Sequence, residues 1–115
     1  GEHIVIELKK YNAKTKMSDL IEQITKYKSA LEKILNDKFS NESKKEIKVI
    51  CVLGSPPRPY TDRNSIQSHQ RALRIGYNAE FITYDELIKN ACDSYAGYME
   101  KESNISELLS IIEKI

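Results

Sequence analysis

The chain has 115 residues, with 18 lysines and arginines against 17 aspartates and glutamates. This length allows one domain with a single hydrophobic core, and a composition that is 40% hydrophobic and 30% charged excludes disordered and fibrous proteins. A membrane span is also excluded, because the longest apolar run, residues 49–53, is far shorter than the roughly 20 residues that a bilayer requires.

The two cysteines and the charge distribution add two expectations. Cys51 and Cys92 lie in apolar surroundings without metal-ligand spacing, which predicts reduced, buried thiols in a cytoplasmic protein. Residues 1–77 carry 15 bases and 9 acids, whereas residues 78–115 carry 3 bases and 8 acids. This asymmetry favours an anionic partner for the first part of the chain. Charges placed only for solubility are an equally good explanation.

The first predicted strand covers residues 3–9 and alternates in the pattern of a half-buried strand. One face carries Ile4, Ile6 and Leu8, and the other carries His3, Val5, Glu7 and Lys9. A long helix follows at residues 18–36, capped by Ser18 or Thr15. Its predicted buried stripe consists of Leu20, Ile24, Tyr27, Leu31, Ile34 and Leu35.

The remaining elements alternate between strands and helices. A polar linker at residues 37–46 precedes a nearly continuous apolar strand at 47–53, which is typical of a central strand covered on both faces. A proline-rich loop leads to a helix at 61–75 closed by Gly76, and then to a strand at 79–84. Asp85 caps a helix at 86–101, and the pair Asn104 and Glu107 resembles a capping box for a last helix.

This order, strand-helix-strand-helix-strand-helix-helix, predicts an α/β fold with a small, mostly parallel sheet. The length predicts a single domain. Because three strands are few for such a sheet, we expect the chain to be part of a larger domain.

The most informative chemical pattern is Glu7-x-Lys9 at the end of the first strand. The two side chains project from the same face, because side chains alternate along a strand. A carboxylate that binds a divalent cation and an ammonium that stabilises charge suit hydrolysis of a phosphodiester. The alternative is that the two residues have no catalytic role and form a solvated ion pair on a half-exposed strand.

Two further features lie near this pair. Gln23 and Tyr27 are four residues apart on one face of the first helix, which a crossover connection returns over the first strand. Their alternative roles are a surface amide beside the core and a core aromatic. Lys9, Lys10, Lys14 and Lys16 follow Glu7 with no acid between them, so this loop could replace the counterions of a phosphate backbone.

Together, the segment Ile4-Val5-Ile6-Glu7-Leu8-Lys9, the Gln23-x-x-x-Tyr27 helix and the strand at 47–53 resemble the second half of the PD-(D/E)XK nuclease core. That core runs helix, three-strand meander, helix, strand. The sequences of residues 5–10 and 82–87 most resemble nuclease-like domains at the C-termini of larger proteins. Those proteins are bacterial defence proteins, including ones with Shedu-like domains, or GHKL-type ATPases.

The resemblance implies roles for individual residues. Glu7 would bind Mg²⁺ or Mn²⁺ with the Leu8 carbonyl as a second ligand, Lys9 would be the catalytic lysine, and Gln23 and Tyr27 would orient the site or contact nucleic acid. The family's other essential acid would lie upstream of Glu7, where only six residues precede it. We therefore expect this chain alone to bind the metal poorly.

Other patterns are less specific. The loop at residues 54–57 lacks the glycines and the Lys-Ser/Thr pair of a phosphate-binding loop. All four arginines lie within residues 58–74, and a solvated helix face explains most of them better than a phosphate site does, although Arg58 joins the predicted nucleic-acid contacts Lys10, Lys14 and Lys16. His3 and His69 lack partners at metal or triad spacing.

The sequence therefore predicts Mg²⁺-dependent hydrolysis of DNA, or less favourably RNA, by a larger protein of which this chain is an incomplete piece. A non-catalytic nucleic-acid-binding or assembly domain of a multidomain ATPase is the main alternative. A third is an unrelated α/β domain in which Glu-x-Lys is accidental. Expected partners are DNA, the rest of the parent protein and a second copy of the chain through an open sheet edge, but not a membrane.

Overall fold

The computed structural model describes residues 2–38 and 46–113. In chain order the elements are β1 (Glu2–Leu8), α1 (Met17–Lys38), β2 (Glu46–Leu53), α2 (Arg63–Tyr77), β3 (Ala79–Thr83) and α3 (Tyr84–Glu113). The predicted polar linker falls mainly on residues 39–45, which lie outside the described residues.

The three strands form one parallel sheet in the order β1-β2-β3. The register pairs Val5 with Val49 and Glu7 with Cys51, and it pairs Cys51 in turn with Phe81. The structure therefore confirms the α/β fold with a small parallel sheet.

The core lies on one face of this sheet. From β2 it contains Val49, Cys51 and Leu53, and from the two helices that cover them it contains Met17, Leu20, Ile24 and Leu73. Both α1 and α2 contact the sheet and each other, so the two crossovers place their helices on the same side.

This arrangement decides which face of β1 is covered. Val5 packs against the core, whereas Ile4, Ile6 and Leu8 are 55%, 62% and 65% exposed. The more apolar face of β1 is thus the exposed one. Register explains this outcome, because the residues that pair with Val49 and Cys51 must share the face on which α1 and α2 lie.

Some predicted caps and one predicted core residue are placed differently. Ser18 and Asp85 lie inside helices rather than capping them, and Cys92 is exposed rather than buried.

Three further details differ from the sequence predictions. Ile34 is 51% exposed, because α1, at about 33 Å, is longer than the roughly 25 Å of strand beneath it. Gly76 does not end α2; the helix continues to Tyr77 and Asn78 forms a left-handed cap at φ 47°. Asn104 lies inside one continuous helix, α3, rather than at the start of a separate one.

The chain forms two compact units, one reaching Tyr84 and the other beginning at Asp85. The first contains the sheet, α1 and α2, and the second consists of α3 beyond its first residue. Among residues 2–38 and 46–113, none of the helices combines the length and apolar character needed to cross a membrane.

Candidate nucleic-acid interface

The carboxyl ends of the three strands lie together at one end of the sheet, which is where ligands bind in open α/β sheets. Glu7 and Lys9 lie at this end, beside the end of β2. The loops that follow β1 and β2 lie there as well, and they carry the predicted basic residues.

Glu7 and Lys9 form an ion pair, with Lys9 Nζ 3.4 Å from Glu7 Oε1. The structure thus agrees with the prediction that the two side chains share a face. Both are only partly exposed, 23% for Glu7 and 21% for Lys9, so this is not a fully solvated surface pair. Fully exposed ion pairs contribute only about 0 to 1 kcal/mol to folding.

The charges of Glu7 and Lys9 both affect the pKa of the Cys51 thiol. Burial and, to a lesser extent, the Glu7 carboxylate raise its pKa to about 11, and the Lys9 ammonium opposes them. Glu7 also pairs with Cys51 in the strand register. The ion pair therefore borders the apolar core on the side that faces the helices.

Gln23 lies on the core-facing side of α1, between the buried Leu20 and Ile24. Its Oε1 is buried and has no hydrogen-bond partner among the described residues, so Lys9 does not donate to it. Tyr27 is half-buried one turn further along the helix. The structure places both residues on the covered side but shows no bond from either to the Glu7 and Lys9 pair.

Leu8, predicted as a metal ligand through its carbonyl, is placed differently from Glu7. The amide of Lys9 donates to the carbonyl of Val52 at 3.0 Å. Because backbone direction alternates along a strand, the polar groups of Leu8 point away from β2, toward the free edge. Its side chain is exposed on the opposite face from Glu7.

The loops after β1 and β2, which both carry basic residues, are paired through their backbones at this end of the sheet. The backbone of Arg58 pairs with the chain around Lys16: its amide donates to Thr15 O at 2.8 Å, and its carbonyl accepts from Met17 N at 2.6 Å. The exposed side chains of Lys10, Lys14, Lys16 and Arg58 form what we term the basic edge.

Three residues to which the sequence analysis assigned no site role hold the loop after β1 in place. The Tyr84 hydroxyl donates to Lys9 O at 2.6 Å, and its ring lies 6.1 Å from that of Tyr11. Gly54 approaches Tyr11 so closely that a Cβ there would lie 1.5 Å from Tyr11 O. The available signal was positional, since Gly54 and Tyr84 each directly follow a strand.

A separate shallow cleft of about 330 Å³ lies at the other end of the sheet, where the strands begin. Its lining residues are Lys28, Glu32, Glu46, Ile47 and Asn78. None of them is a predicted site residue, and the start of β2 places the cleft at the opposite end of the strands from Glu7.

The predicted Mg²⁺ or Mn²⁺ does not fit the residues present. A hard cation takes six or more oxygen ligands, usually with several carboxylates. The part of the chain that the structure describes contains no group of three or more His, Cys, Asp or Glu side chains able to hold a metal. Glu7 is moreover paired with Lys9.

Comparisons with known proteins leave the family open. No protein-family model matches the chain, and neither a curated protein nor a solved structure matches it.

Proposed function

We propose that the domain binds the phosphate backbone of nucleic acid, DNA in the first instance, at its basic edge. The observation that carries this proposal is the backbone pairing between Arg58 and the Lys16 segment. It brings the lysine-rich loop after β1 next to Arg58, which is more than 40 positions away in sequence. A lysine-rich loop alone is a common solvated feature, but here backbone hydrogen bonds hold Lys16 and Arg58 next to each other.

The chemistry of the basic edge suits phosphate rather than base edges. Lysine ammonium groups act as point charges toward phosphate, and the guanidinium of Arg58 can bind a phosphate through two parallel hydrogen bonds. Each phosphate that is neutralised releases condensed counterions, so binding should be sequence-tolerant and salt-sensitive. The excess of bases in residues 1–77 also favours association with a polyanion.

Mg²⁺-dependent DNA hydrolysis is the second candidate, and the close Glu7 and Lys9 pair beside the basic edge favours it. Since the described residues supply only this one carboxylate at the pair, hydrolysis would require acids from elsewhere in a larger protein. The resemblance to the PD-(D/E)XK core supports this candidate. The alternative of a binding or assembly domain within a multidomain ATPase needs no metal.

The binding proposal is tested with a fluorescently labelled duplex of random sequence and a single strand of the same length. The double variant Lys16→Gln/Arg58→Gln should lose affinity about tenfold or more, because two phosphate contacts are removed. The matched control, Lys33→Gln/Arg71→Gln, removes the same charge from exposed helix positions and should change affinity far less. Equal losses in the two double variants would reject the proposed site.

The hydrolytic candidate is separated from binding by a cleavage assay. The 115-residue chain should bind DNA without cutting it when Mg²⁺ is added. On this candidate, a longer protein that places further carboxylates beside Glu7 should cut DNA, and Glu7→Gln should abolish cutting while leaving the affinity intact. Cutting that survives Glu7→Gln and Lys9→Met would eliminate this candidate without touching the binding proposal.

A further inference from the structure

The two edge strands of the sheet, β3 and β1, differ in whether a side chain occupies their outward-facing backbone groups. On β3, the side chain of Gln70 pairs with the backbone of Phe81: its Nε2 donates to Phe81 O at 2.7 Å, and its Oε1 accepts from Phe81 N at 2.9 Å. The amide group of Gln70 therefore occupies the place that another strand would take. Proteins protect sheet edges in such ways, because unpaired edge groups template further pairing.

On the other edge strand, β1, the hydrogen bonds of the described residues include none from a side chain to the backbone of Ile4, Ile6 or Leu8. The one charged side chain in this stretch, Glu7, lies on the core-facing side and is paired with Lys9. Because Lys9 N donates to Val52 O, alternate residues of β1 bond to β2, and the backbone groups of Ile4, Ile6 and Leu8 point outward. The side chains of these three residues are apolar and more than half exposed. The segment from Ile4 to Leu8 contains no proline and no lysine.

We propose that β1 pairs in an antiparallel manner with β1 of a second copy of this chain, about a two-fold axis at Ile6. In this register Ile6 lies opposite Ile6 of the second copy, and Ile4 lies opposite Leu8. At both ends, Glu2 lies opposite Lys10. Such a pairing would join two three-stranded sheets into one of six strands, and it does not depend on nucleic-acid binding.

Charge and apolar complementarity select this register among its neighbours. Glu2, Ile4, Ile6 and Leu8 have exposed side chains at alternate positions of β1, and the exposed Lys10 follows two residues after the strand ends. This register matches apolar with apolar along the strand and acid with base just beyond it. Moving the axis to Val5 places Glu2 opposite Leu8. Moving it to Glu7 places two Glu7 carboxylates opposite each other, which is unfavourable.

The proposal predicts a molar mass of twice 13.2 kDa in sedimentation equilibrium at micromolar and higher concentrations. Ile6→Lys places two ammonium groups face to face on the axis and should give a folded monomer, checked by circular dichroism. The matched control Ile75→Lys changes a side chain that is 78% exposed on α2 and should remain dimeric.

Cross-linking tests the register itself. In a Cys92→Ser background, Ile6→Cys should oxidise to a disulfide-linked dimer, because Cα atoms of directly opposed residues lie about 5.5 Å apart, within disulfide range. Ile4→Cys alone should not, whereas a mixture of Ile4→Cys and Leu8→Cys chains should. A chain that is monomeric at all concentrations, as expected if a segment of a longer protein fills this edge, overturns the proposal. A dimer that Ile6→Lys leaves intact also overturns it.

Discussion

The hydroxyl of Tyr84 donates a 2.6 Å hydrogen bond to the main-chain carbonyl of Lys9, 75 positions earlier in the chain. This bond ties the end of β3 to the segment that carries both the Glu7 and Lys9 pair and the start of the lysine loop. The ring of Tyr11 lies beside that of Tyr84 and extends the contact. Tyr84 is thus a positioning residue for the candidate interface.

Tyr84→Phe removes this bond and keeps the ring. We expect a loss of about 1 kcal/mol in the free energy of unfolding, together with faster amide exchange in residues 9–13. Denaturant titration and hydrogen exchange measure the two effects. Tyr98→Phe, at an exposed position on α3, should change neither, and unaltered exchange in Tyr84→Phe would show that the bond does not order the loop.

Gly54→Ala tests the close contact between the two loops at the basic edge. An added Cβ would overlap Tyr11 O, so the backbones must separate, at a cost of about 2 kcal/mol or more in stability. Gly76→Ala is the matched control. Nothing lies within 4 Å of its added Cβ, and it should stabilise α2 by up to about 1 kcal/mol. Similar effects of the two substitutions would refute the packing argument.

The buried thiol of Cys51 should lower the free energy of unfolding in alkaline solution. Burial, followed by the effect of Glu7, raises the pKa of this thiol from 9.0 to about 11. The folded state therefore retains the proton to a higher pH than the unfolded state, so the contribution of this group is constant below pH 9 and falls between pH 9 and 11. The total fall is about 2 to 3 kcal/mol.

The measurement compares unfolding curves of wild type and Cys51→Ala from neutral pH to pH 11, since other groups titrate in both proteins. The wild-type advantage should shrink above pH 9, while Cys92→Ser should follow wild type throughout. A difference that stays constant with pH would contradict the buried, protonated thiol.

The pattern of apolar residues, prolines and glycines predicted every strand and the first two helices to within about two residues. Local end signals were less reliable. The cap of α2 is Asn78 and not the predicted Gly76. Asparagine tolerates the left-handed conformation, and the side-chain amide of Asn78 also donates to Ile47 O. At Asn104 the capping pattern did not end a helix whose backbone continues on both sides.

The candidate site was predictable only where it depends on one element. Alternation along β1 placed Glu7 and Lys9 on one face, and the structure agrees. Contacts between loops carry no periodic signal, so the pairing of Arg58 with the Lys16 segment required the fold. The same holds for the bond from Tyr84 to Lys9.

The central claim is that the basic edge neutralises phosphates, and the salt dependence of DNA affinity tests it most directly. For wild type, the logarithm of the association constant should fall linearly with the logarithm of the salt concentration. Lys16→Gln/Arg58→Gln should reduce the magnitude of the slope by about 2, at roughly 0.9 for each lost phosphate contact on duplex DNA. An unchanged slope in this double variant, or the same reduction in Lys33→Gln/Arg71→Gln, would contradict the claim.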